Sequence, residues 1–414
     1  MRIVFISQYF FPEQFSNNAM AKNLAARGHE VYAIPAVPNY PAGRFFPGFS
    51  NRMRREELWE GVKIRRAFTI PRGATALTLI ANYLVYPLAA SWTIFRCVKQ
   101  RPDVSFVSMP SPLLQAIAGI FLRWRSGVPC VYWVQDIWPE SATYTLNLKN
   151  RLLVGALDRI CGWIYRKADI VLVQSSAFPD MISRFGVRRD RIRVLPNTAP
   201  DTYRPLRPCD AAEQSRQVPQ NGFRLMFAGN IGESQDFDNV VRAAELLRDR
   251  KNLKWVILGA GRDEARVREL ISLKGLEESF HFLGRHPEEA MPFFFAHADA
   301  MLVSLKDIPI FSLTVPYKVQ CYMACGKPII AALNGEGARI VNESGAGVAV
   351  AAGSPEALAK AIVEMMEKSP HEREEYGANS RGFFERNYSP HEVYGNLERF
   401  LQEAKALAPS DAGE

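Results

Sequence analysis

The chain has 414 residues and a net charge of +8, with 48% hydrophobic and 23% charged residues. Its length excludes a single ordinary core and suits two domains of roughly 200 residues each, and its composition excludes a disordered or low-complexity polymer. The charge is uneven: residues 1–200 carry 26 Lys and Arg against 12 Asp and Glu, and residues 201–414 carry 25 against 31. A basic half beside an acidic half points to a polyanion, either nucleic acid or an anionic membrane leaflet.

Taken in order, the first residues, Met1-Arg-Ile-Val-Phe-Ile, read as a strand, without a charged leader and small-residue cleavage site. Residues 2–7, a helix over 17–27 and residues 30–35 form a βαβ unit. Residues 75–95 run without a charge between Arg65, Arg66 and Arg72 on one side and Arg96 and Lys99 on the other. That length could cross a bilayer, but Pro87, the scattered Thr, Asn and Ser residues and the balanced basic flanks argue against a span. An interfacial helix and a buried core helix both remain open for it. Apolar runs at 104–108, 130–134, 170–174 and 192–195 then alternate with helix-compatible segments, so a parallel sheet covered on both faces is predicted.

Residues 200–221, with four prolines, have linker composition. A second alternating series follows, with strands at 223–228, 254–258, 280–282, 300–303, 328–332 and 347–350 and helices such as 237–250 and 263–273. From residue 355 the pattern is helical, ending in helices at about 373–388 and 391–407. The prediction is an α/β chain of two doubly wound, Rossmann-like lobes facing each other, with ligands at the carboxyl ends of the strands.

Several stretches carry chemistry. In Val315-Pro-Tyr-Lys318 through Cys325-Gly-Lys-Pro328, Pro316 suits a helix start and Gly326 then Pro328 end that helix. Lys318 therefore points from a helix N-terminus that attracts anions and is expected to touch a diphosphate. Gly229 and Gly232, in Leu225-Met-Phe-Ala-Gly-Asn-Ile-Gly232, and Gly259 and Gly261, before Arg262, would let backbone approach an anion. In Trp133-Val-Gln-Asp-Ile-Trp-Pro-Glu-Ser141, Asp136 and Glu140 end a strand beside Trp138, where an acceptor hydroxyl could be held, although helix capping or loop bonding also suits these carboxylates. Asp236-Phe-Asp238 falls at a helix start, where capping is expected rather than metal binding. None of His29, His281, His286, His297, His371 and His391 sits in a triad or an H-E-x-x-H motif, and the six cysteines have no zinc or redox spacing, so they are read as reduced thiols.

These residues resemble a GT-B fold glycosyltransferase of family 4 (glycosyl transferases group 1), in the WbuB-like branch that assembles O-antigen and capsule units. The likeness covers the whole chain and rests on Gln8-Tyr-Phe-Phe-Pro-Glu13, Arg27-Gly-His-Glu-Val31, Pro38-Asn-Tyr-Pro-Ala-Gly43, the Trp133 to Ser141 stretch, Leu195-Pro-Asn197, Phe227-Ala-Gly-Asn-Ile-Gly232 and the Val315 to Pro328 stretch. It implies an acceptor domain over 1–200, a donor domain over 201–385 and a terminal helix over 386–414 returning to the first. It also implies retention of anomeric configuration and no cofactor or metal beyond a nucleotide-sugar donor, UDP-linked and carrying an N-acetylated amino sugar such as N-acetylfucosamine. Donor contacts are expected from Gly229, Asn230, Gly232, Gly259, Gly261, Arg262, Ser312, Leu313, Thr314, Lys318 and Glu336. Acceptor contacts are expected from Glu13, Asn17, Asp136, Trp138 and Glu140, with Asp136 and Lys318 the residues closest to the chemistry.

The chain departs from that family's pattern in three places. The usual Arg-x4-Lys reads Asn230-x4-Gln235, the usual Glu-x7-Glu reads Leu313-x7-Cys321, and no glycine pair occurs in residues 12–18. The resemblance further implies a polyprenyl-diphosphate-linked saccharide acceptor, no nucleic-acid partner and a cytoplasmic protein held peripherally at the inner membrane. A GDP-fucose or GDP-mannose transferase, a nucleotide-sugar 2-epimerase and an inactive nucleotide-binding scaffold are the competing expectations.

Overall fold

The computed structural model describes residues 1–52, 56–73, 75–145, 150–211, 213 and 216–407. The chain divides into two compact units, Met1–Pro196 with Tyr394–Glu414, and Asn197–Val393.

The first unit is built on an eight-stranded sheet. Its strands are β1 (Arg2–Ile6), β2 (Glu30–Ile34), β3 (Glu57–Trp59), β4 (Val62–Ile64), β5 (Val104–Met109), β6 (Cys130–Val134), β7 (Ile170–Val173) and β8 (Ile192–Val194), in the order β3-β4-β2-β1-β5-β6-β7-β8. All neighbours are parallel except the β3–β4 hairpin at the edge, whose three-residue strands are too short to stand out as a sequence pattern. β5 and β6 are buried at every position, as strands covered on both faces must be. The order reverses between β1 and β5, which opens a crevice at their carboxyl ends.

Helix Ala76–Cys97, which holds the uncharged segment, buries one face and exposes an apolar one. It starts at Thr75, whose side chain accepts from Thr78 N–H in a reciprocal capping box. Asn82, Tyr86, Ala90 and Ile94 are buried, and the Tyr86 hydroxyl donates to the Ile34 carbonyl at 2.7 Å, docking this face on the sheet. Leu77, Ile80, Leu84, Leu88, Trp92 and Phe95, three or four residues apart on the opposite face, are 49% to 79% exposed. The helix is long and apolar enough to cross a membrane, but it is docked along one side.

The second unit carries six parallel strands: β9 (Phe223–Ala228), β10 (Leu253–Leu258), β11 (Phe280–Gly284), β12 (Ala300–Ser304), β13 (Ile329–Ala332) and β14 (Gly347–Val350). Their order, β11-β10-β9-β12-β13-β14, is that of a dinucleotide-binding sheet and reverses between β9 and β12. Alternate residues feed two cores: Met226, Val256 and Met301 on one face, Leu225, Phe227, Trp255 and Leu302 on the other. Tyr203 and Val218 belong to the first of these cores, so the proline-rich segment is partly packed on this unit rather than strung out as a linker.

The last helix, Pro390–Leu407, belongs with the first unit from Tyr394 onward. It buries Leu397, Phe400, Leu401 and Ala404, and its Glu398 pairs with Arg27 at 3.1 Å and His29 at 3.0 Å. Lys405 meets Asp103 at 2.8 Å. The architecture is therefore the doubly wound α/β pair with a returning terminal helix.

Helix Tyr317–Ala324 is fixed at its exit. Gly326, at φ +64°, donates to the Met323 carbonyl at 3.0 Å and Lys327 N–H to Tyr322 at 3.2 Å, the paired bonds of a left-handed helix stop. Helix Pro370–Asn387 leans on this stop through Ser380, which donates to the Lys327 carbonyl at 2.8 Å, and Arg381, which donates to the Ala324 carbonyl at 2.6 Å. A Cβ on Gly377 would lie 2.4 Å from the Gly326 carbonyl oxygen. Gly377→Ala is accordingly expected to destabilise the second unit by ~1–3 kcal/mol through overpacking, read as a lowered denaturant midpoint.

Candidate active site

The donor-side residues gather where the second sheet reverses. β9 runs into Gly229, at φ +143°, and β10 into Gly259, at φ +129°. The two loops lie backbone against backbone: a Cβ on Gly259 would sit 1.9 Å from the Gly229 carbonyl oxygen, and one on Gly261 1.9 Å from that of Ile231. Ile231 N–H donates to Ala260 at 3.1 Å and Asp263 N–H to Ile231 at 3.1 Å, closing the contact. Gly261, like Gly259, is thus required for the approach of the two backbones. Gly229 serves differently, since a Cβ there would lie 3.2 Å from Lys318 Nζ. Gly232 precedes the short turn Glu233–Gln235 and is extended, with the Asn230 side chain over it.

Lys318 reaches back from helix Tyr317–Ala324 to this corner. Its ammonium donates to Gln235 Oε1 at 2.5 Å and lies 3.8 Å from the centre of the Phe227 ring. Among the described residues it has no carboxylate partner. Its surface is half-buried, yet its surroundings are dense enough that desolvation pushes the ammonium down to about 7. Asn230 and Gln235 stand where the family carries a cationic pair, and Lys318 brings one cation to Gln235 from a different element. Lys327, from the same stretch, instead braces the neighbouring strand by donating to the carbonyls of Ala296 and Ala298 at 3.0 and 3.1 Å, just ahead of β12.

The remaining donor-side residues divide. Segments 312–314 and 335–337 come together, because a Cβ on Gly335 would meet the Ser312 carbonyl oxygen at 2.0 Å and one on Gly337 would meet Pro316 Cδ at 3.2 Å. The N–H groups of Leu313 and Thr314, expected to meet a sugar, turn back to Ile310 and Phe311 at 3.4 and 3.3 Å. Glu336 is 9% exposed and takes two hydrogen bonds from Arg339 at 2.9 and 2.8 Å, so its carboxylate is committed rather than open. Arg262 is exposed and makes no ion pair among the described residues. Asp236 is the N-cap residue of its helix, at φ +49°, where the Asn239 amide acts on its carboxylate, while Asp238 grips Arg266 at 2.9 Å.

Sequence reasoning missed a cavity of about 270 Å³ beside this corner. Asn230, Gly259 and Ala260 line one side, and Arg285, His286 and Met291 the other. His286 is held by a 2.9 Å contact between Nε2 and the Leu283 carbonyl and by Phe294, 4.4 Å away ring to ring. The available signal was Gly284-Arg-His286 following a strand, with Gly284 at φ +76°.

In the first unit, Asp136 follows β6, exposed and without a hydrogen bond among the described residues. Solvent reaches it, yet surrounding protein desolvates the carboxyl and pushes it up to about 6. Trp138 is fixed through its backbone, its N–H donating to the Tyr165 hydroxyl at 3.1 Å, and its ring stands edge-on to Tyr83 at 6.4 Å. Glu140 pairs with Arg184. Glu13 is 3% exposed and accepts from Asn39 N–H at 2.8 Å, Tyr40 N–H at 2.7 Å and Phe10 N–H at 3.3 Å. Asn17, 1% exposed, donates to Ser7 Oγ at 2.7 Å and the Tyr9 carbonyl at 2.8 Å. Glu13 is thus a brace for its loops, a correction to its reading as a direct acceptor contact, whereas Asn17 Oδ1 and Glu140 Oε2 are buried and have no hydrogen-bond partner among the described residues. Asp136 and the Trp138 ring remain available.

Each of the two units matches a known family model. The model for glycosyl transferases group 1 matches residues 210–383, and that for the glycosyl transferase 4-like domain matches residues 16–198. The chain is 26% identical over 299 residues to the putative colanic acid biosynthesis glycosyl transferase WcaI of Escherichia coli K12, covering 69% of this chain and 71% of that protein. It is 28% identical over 310 residues to the probable glycosyltransferase WbjE of Pseudomonas aeruginosa, covering 73% and 74%. Sucrose-phosphate synthase from Thermosynechococcus elongatus superposes with a TM-score of 0.76 at 16% identity, over 98% of this chain and 99% of that one. Anabaena HepE, solved in complex with UDP, superposes with a TM-score of 0.71 at 15% identity, over 97% and 100%. Two family models that together span both units, with relatives and folds of the same kind, show that the chain belongs to the GT-B glycosyltransferases of family 4, group 1, and is a glycosyltransferase.

Proposed function

We propose that this transferase moves a glycosyl unit from a UDP-sugar to a lipid-diphosphate-linked saccharide in the assembly of a bacterial surface polysaccharide, with retention and without a metal. The observation that carries the reading is Lys318: an ammonium with no carboxylate partner among the described residues, at a helix start and against glycine backbone, suits a leaving diphosphate. In the bond change, an acceptor hydroxyl attacks the anomeric carbon on the face from which the diphosphate leaves. The C–O bond to phosphate breaks as the new glycosidic bond forms, and the departing phosphate oxygen takes the hydroxyl proton. Negative charge grows on that oxygen, so a donor already fixed there lowers the barrier. Asp136 orients the acceptor hydroxyl, and the cavity between Ala260 and His286 takes the nucleoside.

Resemblance to the WbuB-like branch supports a UDP-linked N-acetylated amino sugar, N-acetylfucosamine being one candidate, with GDP-fucose or GDP-mannose the alternative. WcaI, by its name a colanic acid biosynthesis transferase, supports a place in polysaccharide assembly. The exposed stripe from Leu77 to Phe95, flanked by Arg72, Arg96 and Lys99, supports peripheral contact with the anionic inner leaflet, where such an acceptor would reside.

The reading is tested by incubating the protein with UDP-sugars, GDP-sugars and a prenyl-diphosphate saccharide; a new nucleotide sugar formed from donor alone would instead mark an epimerase. Lys318→Gln is expected to lower turnover by ~100-fold or more. Because burial lowers the Lys318 pKa, its cation is present below about pH 7 and lost above it, so affinity for the nucleotide sugar should fall from pH 6 to pH 8.5 in the wild type and stay level in Lys318→Gln. Asp136 has a raised pKa, so its ionised form burdens the fold above about pH 6 and not below the unfolded value near 4. Asp136→Asn is expected to lose transfer yet raise the thermal midpoint at pH 7.5, with no gain at pH 3.5. Leu84→Ser with Leu88→Ser and Trp92→Ser should move the protein from the liposome pellet to the supernatant in sedimentation.

A further inference from the structure

The stretch Pro38-Asn-Tyr-Pro-Ala-Gly43 takes no part in the chemistry above, yet the first unit spends many contacts on it. Glu13 holds its Asn39 and Tyr40 amides, and Asn39 Oδ1 accepts the Arg72 backbone N–H at 3.0 Å. Gly43 packs against the next loop, where a Cβ would lie 3.2 Å from Gly73 N. The result is a cluster of rings: Tyr9 stacks on Phe15 at 5.1 Å, and Tyr40 lies 5.5 Å from both. Over Tyr40, 5.4 Å from the ring centre, sits the Arg72 guanidinium.

Three polar groups at this cluster lack partners among the described residues. The Arg72 guanidinium is half-buried and forms no ion pair or hydrogen bond. The Tyr9 hydroxyl is buried, in a residue 4% exposed, and makes no hydrogen bond. Tyr83, whose hydroxyl acts electrostatically on that of Tyr9, is also unbonded there. A buried hydroxyl left unmet costs ~1–3 kcal/mol, so such a group marks a place where something polar binds. Glu13, whose charge also acts on the Tyr9 hydroxyl, is already occupied by three amides. An incoming anion therefore meets one uncompensated cation and phenolic donors.

The location narrows the ligand. Arg72 lies five positions before Leu77, where the exposed apolar stripe begins, and Tyr83 touches Trp138 in the loop carrying Asp136. An anion here would have a hydrocarbon surface on one side and the acceptor loop on the other. We infer that Arg72 and the Tyr9 hydroxyl form a subsite for the diphosphate of a prenyl-diphosphate acceptor, with the prenyl chain along the Leu77 to Leu88 face and the sugar towards Trp138 and Asp136. Tyr83 supplies a further donor from the helix between them. The inference rests on the lipid-linked acceptor proposed above.

The test is calorimetric binding of farnesyl diphosphate, farnesol and inorganic pyrophosphate to the full chain, with UDP present to occupy the second unit. Wild type should bind farnesyl diphosphate at least about tenfold more tightly than either other probe, since charge-assisted hydrogen bonds give such a margin. Arg72→Gln should erase the margin over farnesol and leave farnesol binding unchanged, Arg72→Lys should keep part of it, and Tyr9→Phe should reduce it several-fold. Equal binding of farnesyl diphosphate and farnesol, pyrophosphate binding as tightly as the lipid, or a margin indifferent to both Arg72→Gln and Tyr9→Phe overturns the subsite. If Arg72→Gln does not fold, Tyr9→Phe, which removes one oxygen, decides. Transfer to a prenyl-diphosphate saccharide is measured in parallel. Transfer that ignores Arg72 sinks the subsite and keeps the function, whereas Arg72-dependent diphosphate binding without transfer keeps the subsite and sinks the function.

Discussion

The loops after β9 and β10 lie so close that the second admits no side chain at Gly259 or Gly261, and this contact sets the geometry of the donor unit. A carbonyl oxygen 1.9 Å from the place of a Cβ leaves glycine as the sole residue for Gly259 and Gly261. The floor of the cavity is therefore backbone, whose amides and carbonyls are fixed in direction by the sheet behind them. Everything aimed at a ligand comes over that floor from other elements: Lys318 from a helix two strands away, Arg285 and His286 from the loop after β11. A rigid floor also means that the site needs no ligand to form it, which suits stabilisation of developing charge.

Charge in this unit is placed sparingly. The family's cationic pair is absent, and Gln235 occupies one of those positions as the acceptor of a hydrogen bond from Lys318. A neutral amide there holds the ammonium without neutralising it, whereas a carboxylate would have formed an ion pair that a diphosphate must first break. Phe227 beneath the same ammonium adds attraction without an anion. The acceptor unit follows a comparable rule, with Glu13 committing its carboxylate to loop amides so that Asp136 and Arg72 can be left unmatched.

Much of the fold was legible because parallel, doubly covered strands read as apolar runs, and β5, β6, β12 and β13 are such runs. Pro316 and Gly326 marked the helix of Lys318 for local reasons that survive in three dimensions. The hairpin β3–β4 was too short for any periodicity to register. What could not be read was pairing over distance: Lys318 and Gln235 are 83 positions apart, and nothing near either announces the other. Glu336 misled because a carboxylate after a strand looks available, while Arg339 three residues on, a helical neighbour, occupies it. Glycines after strands were found, but whether a glycine admits a ligand or a neighbouring loop depends on the approach of another backbone.

The setting of Lys318 has a consequence for the heat and proton traffic of the enzyme. An amine held near neutrality by burial is only partly protonated at physiological pH, and a diphosphate beside it raises its proton affinity. With Lys318 on the donor diphosphate, as proposed, capture of the donor draws a fraction of a proton from the medium and departure of the nucleotide returns it. Each catalytic cycle then carries this breathing of protons in addition to the acceptor hydroxyl's own proton, so the apparent binding enthalpy depends on the ionisation heat of whatever buffer surrounds the protein.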